Sequence, residues 1–71
     1  MDSRLIGRNL KHIRISNGIK RDDFSEKINL SSACLAKQEQ GNPTLNVVIR
    51  YSKYFNISLD DICHKDLKIN N

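Results

Sequence analysis

Ile6, Leu10 and Ile13 recur at i, i+4 and i+7 with basic and polar residues between them. That spacing predicts an amphipathic helix over residues 4–17. Asn17-Gly18 ends it, because glycine readily takes the left-handed conformation just past a helix. Phe24 and Ile28 mark a second helix over 21–28. Asp22 and Asp23 fall in its first turn, where carboxylates favour the positive end of the helix dipole. Ser31 is a natural N-cap for a third helix, which carries Leu35 and runs to about residue 40, stopping at Gly41. Thr44 caps a fourth helix with Leu45, Val48, Ile49, Ser52 and Phe55 assigned to one face and Asn56 closing it. Ser58 and Asp61 read as a capping box that opens a short fifth helix through Ile62. The pattern is all-α, five short helices.

The turn before the third helix, within NLSSACLAKQEQGNPT, is the informative one. Asn29 tolerates positive φ better than any residue but glycine, so a sharp turn fits there. Two helices joined by three or four residues through such a turn make a helix-turn-helix. Ser25, four positions before Asn29, is small where the third helix must cross closely, and Leu30 and Leu35 fall toward the core.

Length and charge narrow the picture. The chain has 71 residues, read as one domain over 1–66 with a flexible tail over 67–71. A chain this short buries only about 60% of its unfolded surface, so its core is modest. The segment HKDLKINN shows no partner and is expected to fray. No apolar run approaches the roughly 18 residues of a membrane span, and none follows MDSR to make a signal peptide, so a cytoplasmic protein is expected. Residues 1–21 carry a net +5 and the remainder −1, within an overall +4. That asymmetry suits an anionic partner, nucleic acid above all, although a solvated helix face would look the same. Cys34 and Cys63 lie 29 positions apart with only His12 and His64 as further candidate ligands. The spacing favours two reduced structural thiols over a zinc site. No metal and no cofactor is expected. Nothing resembles a nucleophile with a neighbouring base or a phosphate-cradling glycine loop, so an enzyme is rejected.

From Ile6 to Ile62 the chain resembles the Cro/cI-type, or XRE-like, phage repressor family of helix-turn-helix proteins. The resemblance is carried in order by IGRNLKHIR, NGIKRDDFSEKINLS, LAKQEQGNPTL and YFNISLDDI. It implies a five-helix repressor-like domain that binds double-stranded operator DNA, commonly as a homodimer. The chain departs from the family in three places. Lys20 and Arg21 stand where Ser or Thr and then Gln are usual, Asn29 replaces the turn glycine, and Gln38 replaces a hydrophobic or aromatic residue.

The resemblance also implies roles for residues. Arg14 and Glu39 would pair to tie the first helix to the third, a task that suits the planar fork of arginine. Ser32, Ala33 and Lys37 would meet base edges, with Ser31 near a phosphate. Lys37 is the strong reader of the set, since it donates to guanine O6 and N7, whereas Ala33 offers contact to a thymine methyl. Arg21, at a helix N-terminus, is placed on a phosphate, and Gln40, Asn42 and Thr44 are weaker phosphate candidates. Tyr51 is expected to pack partly inward with its hydroxyl at the surface. Phe55 is read as core, and Arg50 and Lys53 as the wet face of the fourth helix. Tyr54 is either a tolerated surface aromatic or a dimer contact with the fifth helix. The leading reading is a sequence-specific transcriptional regulator, a repressor or autoregulator on a two-fold operator. The other is a protein-interaction module on the same fold, antitoxin-like or anti-repressor, with a protein partner and weak DNA binding.

Overall fold

The computed structural model describes residues 2–68. Among these, five helices follow one another: α1 (Ser3–Ser16), α2 (Arg21–Lys27), α3 (Ser32–Glu39), α4 (Leu45–Phe55) and α5 (Leu59–His64). Every expected helix is present. Side-chain caps set the starts of every helix except α2, whose N-cap Lys20 makes no such bond. Asp2 Oδ1 accepts from the amides of Arg4 and Leu5, at 3.0 and 3.2 Å, which starts α1 one residue earlier than periodicity alone suggested. Ser31, Thr44 and Ser58 accept from Cys34, Val47 and Asp61 respectively. Asp61, expected to reach back as the second half of a capping box, instead pairs with Lys65 at 3.1 Å.

The core gathers Ile6, Leu10 and Ile13 of α1 with Phe24, Ile28, Leu35, Val47, Val48, Tyr51 and Ile62. The apolar face assigned to α4 is corrected in part: Val48 is buried and Phe55 packs against the core as assigned, but Val47 and Tyr51 are buried as well and Leu45 is 70% exposed. Periodicity alone does not distinguish the two faces, because apolar residues spread widely around this helix. A hydrogen bond decides it. Tyr51, expected to keep its hydroxyl at the surface, is wholly buried and donates to Glu39 Oε2 at 2.7 Å.

That bond completes a buried polar centre. Arg14 donates through Nε to Glu39 Oε2 at 2.8 Å and through Nη2 to Glu39 Oε1 at 3.0 Å, and its Nη1 reaches Ile19 O at 2.8 Å. Both side chains are nearly closed off from water, Arg14 at 7% and Glu39 at 3% exposure. One carboxylate therefore joins α1, α3 and α4, while the guanidinium also holds the turn after α1. The hydrogen bond to Glu39 raises Arg14 above its ordinary pKa. Burial, and then the same carboxylate, pushes the Tyr51 hydroxyl well above the usual tyrosine range.

Two further contacts set the packing of α1. Gly7 lies against the end of α3, where a Cβ would sit 2.8 Å from Gln38 O, 2.8 Å from Gly41 N and 3.0 Å from Glu39 O. Backbone atoms cannot step aside, so only glycine permits this crossing. Asn9, fully buried, donates to Ile62 O at 2.8 Å and Lys65 O at 2.6 Å and accepts from Leu67 N at 3.1 Å. Arg8 pairs with Asp66 at 2.5 Å. The expectation that HKDLKINN has no partner is thus corrected for residues 65–67, which α1 ties down, with Leu67 packed against the core. Of the tail assigned as flexible, residues 69–71 lie outside the described residues.

Replacing Asn9 by Ala strands two carbonyls and an amide, and should cost about 1–3 kcal/mol of stability, read by urea unfolding. Tyr51→Phe leaves Glu39 one donor short and should cost about 1.5–3 kcal/mol near neutral pH, since its acceptor is charged. It should also change the alkaline limb. Below roughly pH 10 Tyr51 keeps its proton in both folded and unfolded chains, and contributes no pH dependence. Above that value the unfolded chain ionises there while the folded chain does not, so stability falls with rising pH. Urea unfolding on either side of that value should find this part of the slope missing in Tyr51→Phe.

Candidate nucleic-acid interface

The chain leaves α2 through Ile28 and turns at Asn29, whose φ is 58°. The turn is closed by Leu30 N, which donates to Ser25 O at 2.9 Å. Ser25 is buried and its hydroxyl donates to Asp22 O at 2.7 Å, so a small side chain fills the crossing and satisfies its own polarity. Arg50 was expected on the wet face of α4. Its Nη1 instead donates to Ile28 O, capping the carbonyl end of α2. Leu35 is fully buried and seats α3 on the core.

The outer face of α3 presents Ala33 and Lys37, four residues apart and both exposed. No ion-pair partner engages the Lys37 ammonium among the described residues. Ser32 is placed differently from a free base reader. Its hydroxyl donates to Asp22 Oδ1 at 2.5 Å and accepts from Arg21 Nε at 3.4 Å. The structure therefore brings Arg21 and Ser32 together at the start of α2 and α3. The committed hydroxyl has little left to offer a base, but it steadies the Arg21 guanidinium, whose remaining donors point to no other group among the described residues. Ser31 accepts from Cys34 N at 3.0 Å and retains its hydroxyl proton as a donor.

Beyond α3, the loop to α4 has spent its amides. Gln40 N and Asn42 N donate to Ala36 O and Lys37 O, and Gly41 N reaches Gln38 O. Thr44 N donates to Gln38 Oε1 at 2.6 Å. Gln38, the departure under α3, is thus a buried polar strut: its amide holds the start of α4 where a hydrophobic residue would only fill space. With these backbone donors used, an anion at this loop is met by side chains and by the first amides of α4, Leu45 N and Asn46 N. Gln40, Asn42 and Thr44 are all exposed there. The Thr44 oxygen accepts from Val47 N at 3.5 Å and keeps its hydroxyl proton to donate.

One cation beside this surface was missed. Arg4 lies against Gly41, close enough that a Cβ on the glycine would sit 3.6 Å from Arg4 Cγ. Its charge was counted, but no spacing in the sequence tied residue 4 to residue 41. Of the six cations in residues 1–21, Arg8 and Arg14 are neutralised by Asp66 and Glu39. Charge placed at the surface matters for an anionic partner, and Arg4 and Arg21 supply it beside α3.

Among the described residues, no helix is long and apolar enough to cross a membrane. Comparison with curated proteins and with solved structures returns no match. A family model for the Cro/C1-type HTH DNA-binding domain does match, over residues 9–64, from the buried Asn9 to the end of α5. With the helix-turn-helix of α2 and α3 in place and the match spanning most of its length, the chain belongs to the Cro/C1-type helix-turn-helix DNA-binding family.

Proposed function

We propose that this protein is a sequence-specific transcriptional regulator of the cytoplasm, a repressor or autoregulator that binds a two-fold operator as a homodimer. The observation that carries the reading is the exposed pair Ala33 and Lys37 on α3, flanked by Arg21 and by the side chains of the following loop. Lys37 reads guanine in the major groove, and Ala33 meets a thymine methyl. Arg21 contacts a phosphate, held in place by Ser32. Ser31, Gln40, Asn42 and Thr44 position the domain on the backbone. Ser32 contributes to base reading less than its place on α3 suggests, because its proton is committed to Asp22.

A base-reading set this sparse leaves room for specificity through DNA shape and bridging water. Small residues at the start of α3 let the helix approach the bases closely. Leu59, 40% exposed on α5, offers apolar surface for self-association. A dimer would place two α3 helices about 34 Å apart in successive major grooves. Occupancy of an operator overlapping a promoter excludes polymerase, which is why repression is preferred to activation.

Selection of bound sequences from random DNA pools, at two salt concentrations, tests the reading. A two-fold motif should emerge, and Lys37→Ala should cost about 1–3 kcal/mol and relax one base position per half-site. Salt-sensitive binding with no motif would refute sequence-specific regulation. Arg21→Ala should weaken binding evenly across sequences and reduce the salt slope by about 1 per protomer, measured by titration at several salt concentrations.

A further inference from the structure

A shallow cleft, wide open to solvent, lies between the C-terminal end of α2 and the outer side of α4. Lys27, Asn29, Arg50 and Lys53 line it together with Ile28 and Tyr54, and its surface is mostly apolar. Arg50 is held by its bond to Ile28 O, which fixes the guanidinium without neutralising it. Lys27 and Lys53 are exposed, and neither is ion-paired among the described residues. Three cations thus line one cleft, and no carboxylate stands among its lining residues.

The aromatic wall is rigid. Tyr54 packs edge-on against Phe24 and Phe55, at centroid distances of 5.0 and 4.9 Å, and still exposes 45% of its surface. That remainder lines the cleft, which no residue of α5 enters. A pre-ordered ring beside fixed charge gives contact area at little cost in conformational entropy. The cleft also opens at the far end of α2 from Arg21, six residues or about 9 Å along the helix.

We propose that this cleft docks an acidic segment of a partner protein, one that carries an aromatic or aliphatic side chain among its carboxylates. Charge complementarity selects the acid, since Lys27, Arg50 and Lys53 lack a counter-charge in the lining. Ile28 and Tyr54 select the apolar residue. A phosphate backbone answers the cations but gains nothing from the apolar surface. The same protein then meets DNA through α3 and an acidic partner through α2 and α4.

The probe is a synthetic peptide alternating Asp and Glu with Leu and Phe, titrated into the isotope-labelled full chain and followed by amide NMR shifts. Saturable shifts centred on Lys27, Asn29, Lys53 and Tyr54 are expected, with α3 little affected. The double variant Lys27→Glu with Lys53→Glu should bind about ten-fold more weakly or worse, because it sets like charges against the peptide. On the unaltered chain, the same peptide with Asn and Gln replacing its acids should lose binding, a control that does not depend on any variant folding. Absent or non-saturating shifts, shifts centred on α3, or equal binding of the neutral peptide would overturn the proposal. So would a random-sequence DNA duplex that shifts the cleft in preference to α3, or self-association of the chain that fills the cleft without peptide. A chain that binds the peptide at the cleft but recovers no DNA motif would refute the regulator and leave the docking site standing.

Discussion

A single buried carboxylate organises this domain. Glu39 accepts two hydrogen bonds from Arg14 and one from Tyr51, so α1, α3 and α4 converge on two oxygen atoms. A buried ion pair contributes little net stability against apolar replacements, but losing one partner leaves a charge stranded in the interior. Its value is therefore positional. Glu39 closes α3, and a guanidinium fork accepts it in one plane and one register. The roll of α3 about its axis is set from this end, which decides that Ala33 and Lys37 face outward and Leu35 inward.

The other end of α3 is set by α2. Asp22 and Arg21 both engage Ser32, and Ser25 leaves room for the crossing. Between these anchors Gln38 fastens α3 to the first residue of the next cap, and Gly7 lets α1 lie directly on the backbone beneath. Eight residues of helix are thus held at both ends and along one side. Rigidity of this kind matters for a surface that presents few side chains to its target, because each contact depends on placement more than on number.

Charge follows the same division. Arg14 and Arg8 serve the fold, Arg21 and Arg4 lie beside α3, and Lys27, Arg50 and Lys53 gather at the opposite end of α2. A net +4 distributed this way makes two separate cationic surfaces from one small domain.

Much of the fold was legible in the chain. Local signals mark all five helices, because caps, αL-tolerant residues and helical spacing act within a few residues of one another. Asn29 and Asn56 take the left-handed conformation, at φ 58° and 56°, where the pattern placed a turn and a helix end. The resemblance to repressors brought Arg14 and Glu39 together across 25 positions, and that pairing is present. What stayed hidden depends on distance through space. The buried face of α4 turns on a Tyr51 hydroxyl that seeks a carboxylate on another helix. The partners of Asn9 lie at the end of α5 and in the tail, more than fifty positions away along the chain. Arg50 looks solvated until the carbonyl end of α2 meets it. Ser32 was placed against base edges, and its hydroxyl instead donates a hydrogen bond to Asp22. The sequence by itself determined which segments are helical and where they stop, since those choices are made by neighbours along the chain. The tertiary structure decided which polar side chains are spent inside and which remain for a partner, since hydrogen bonds of that kind exist only once the helices have packed.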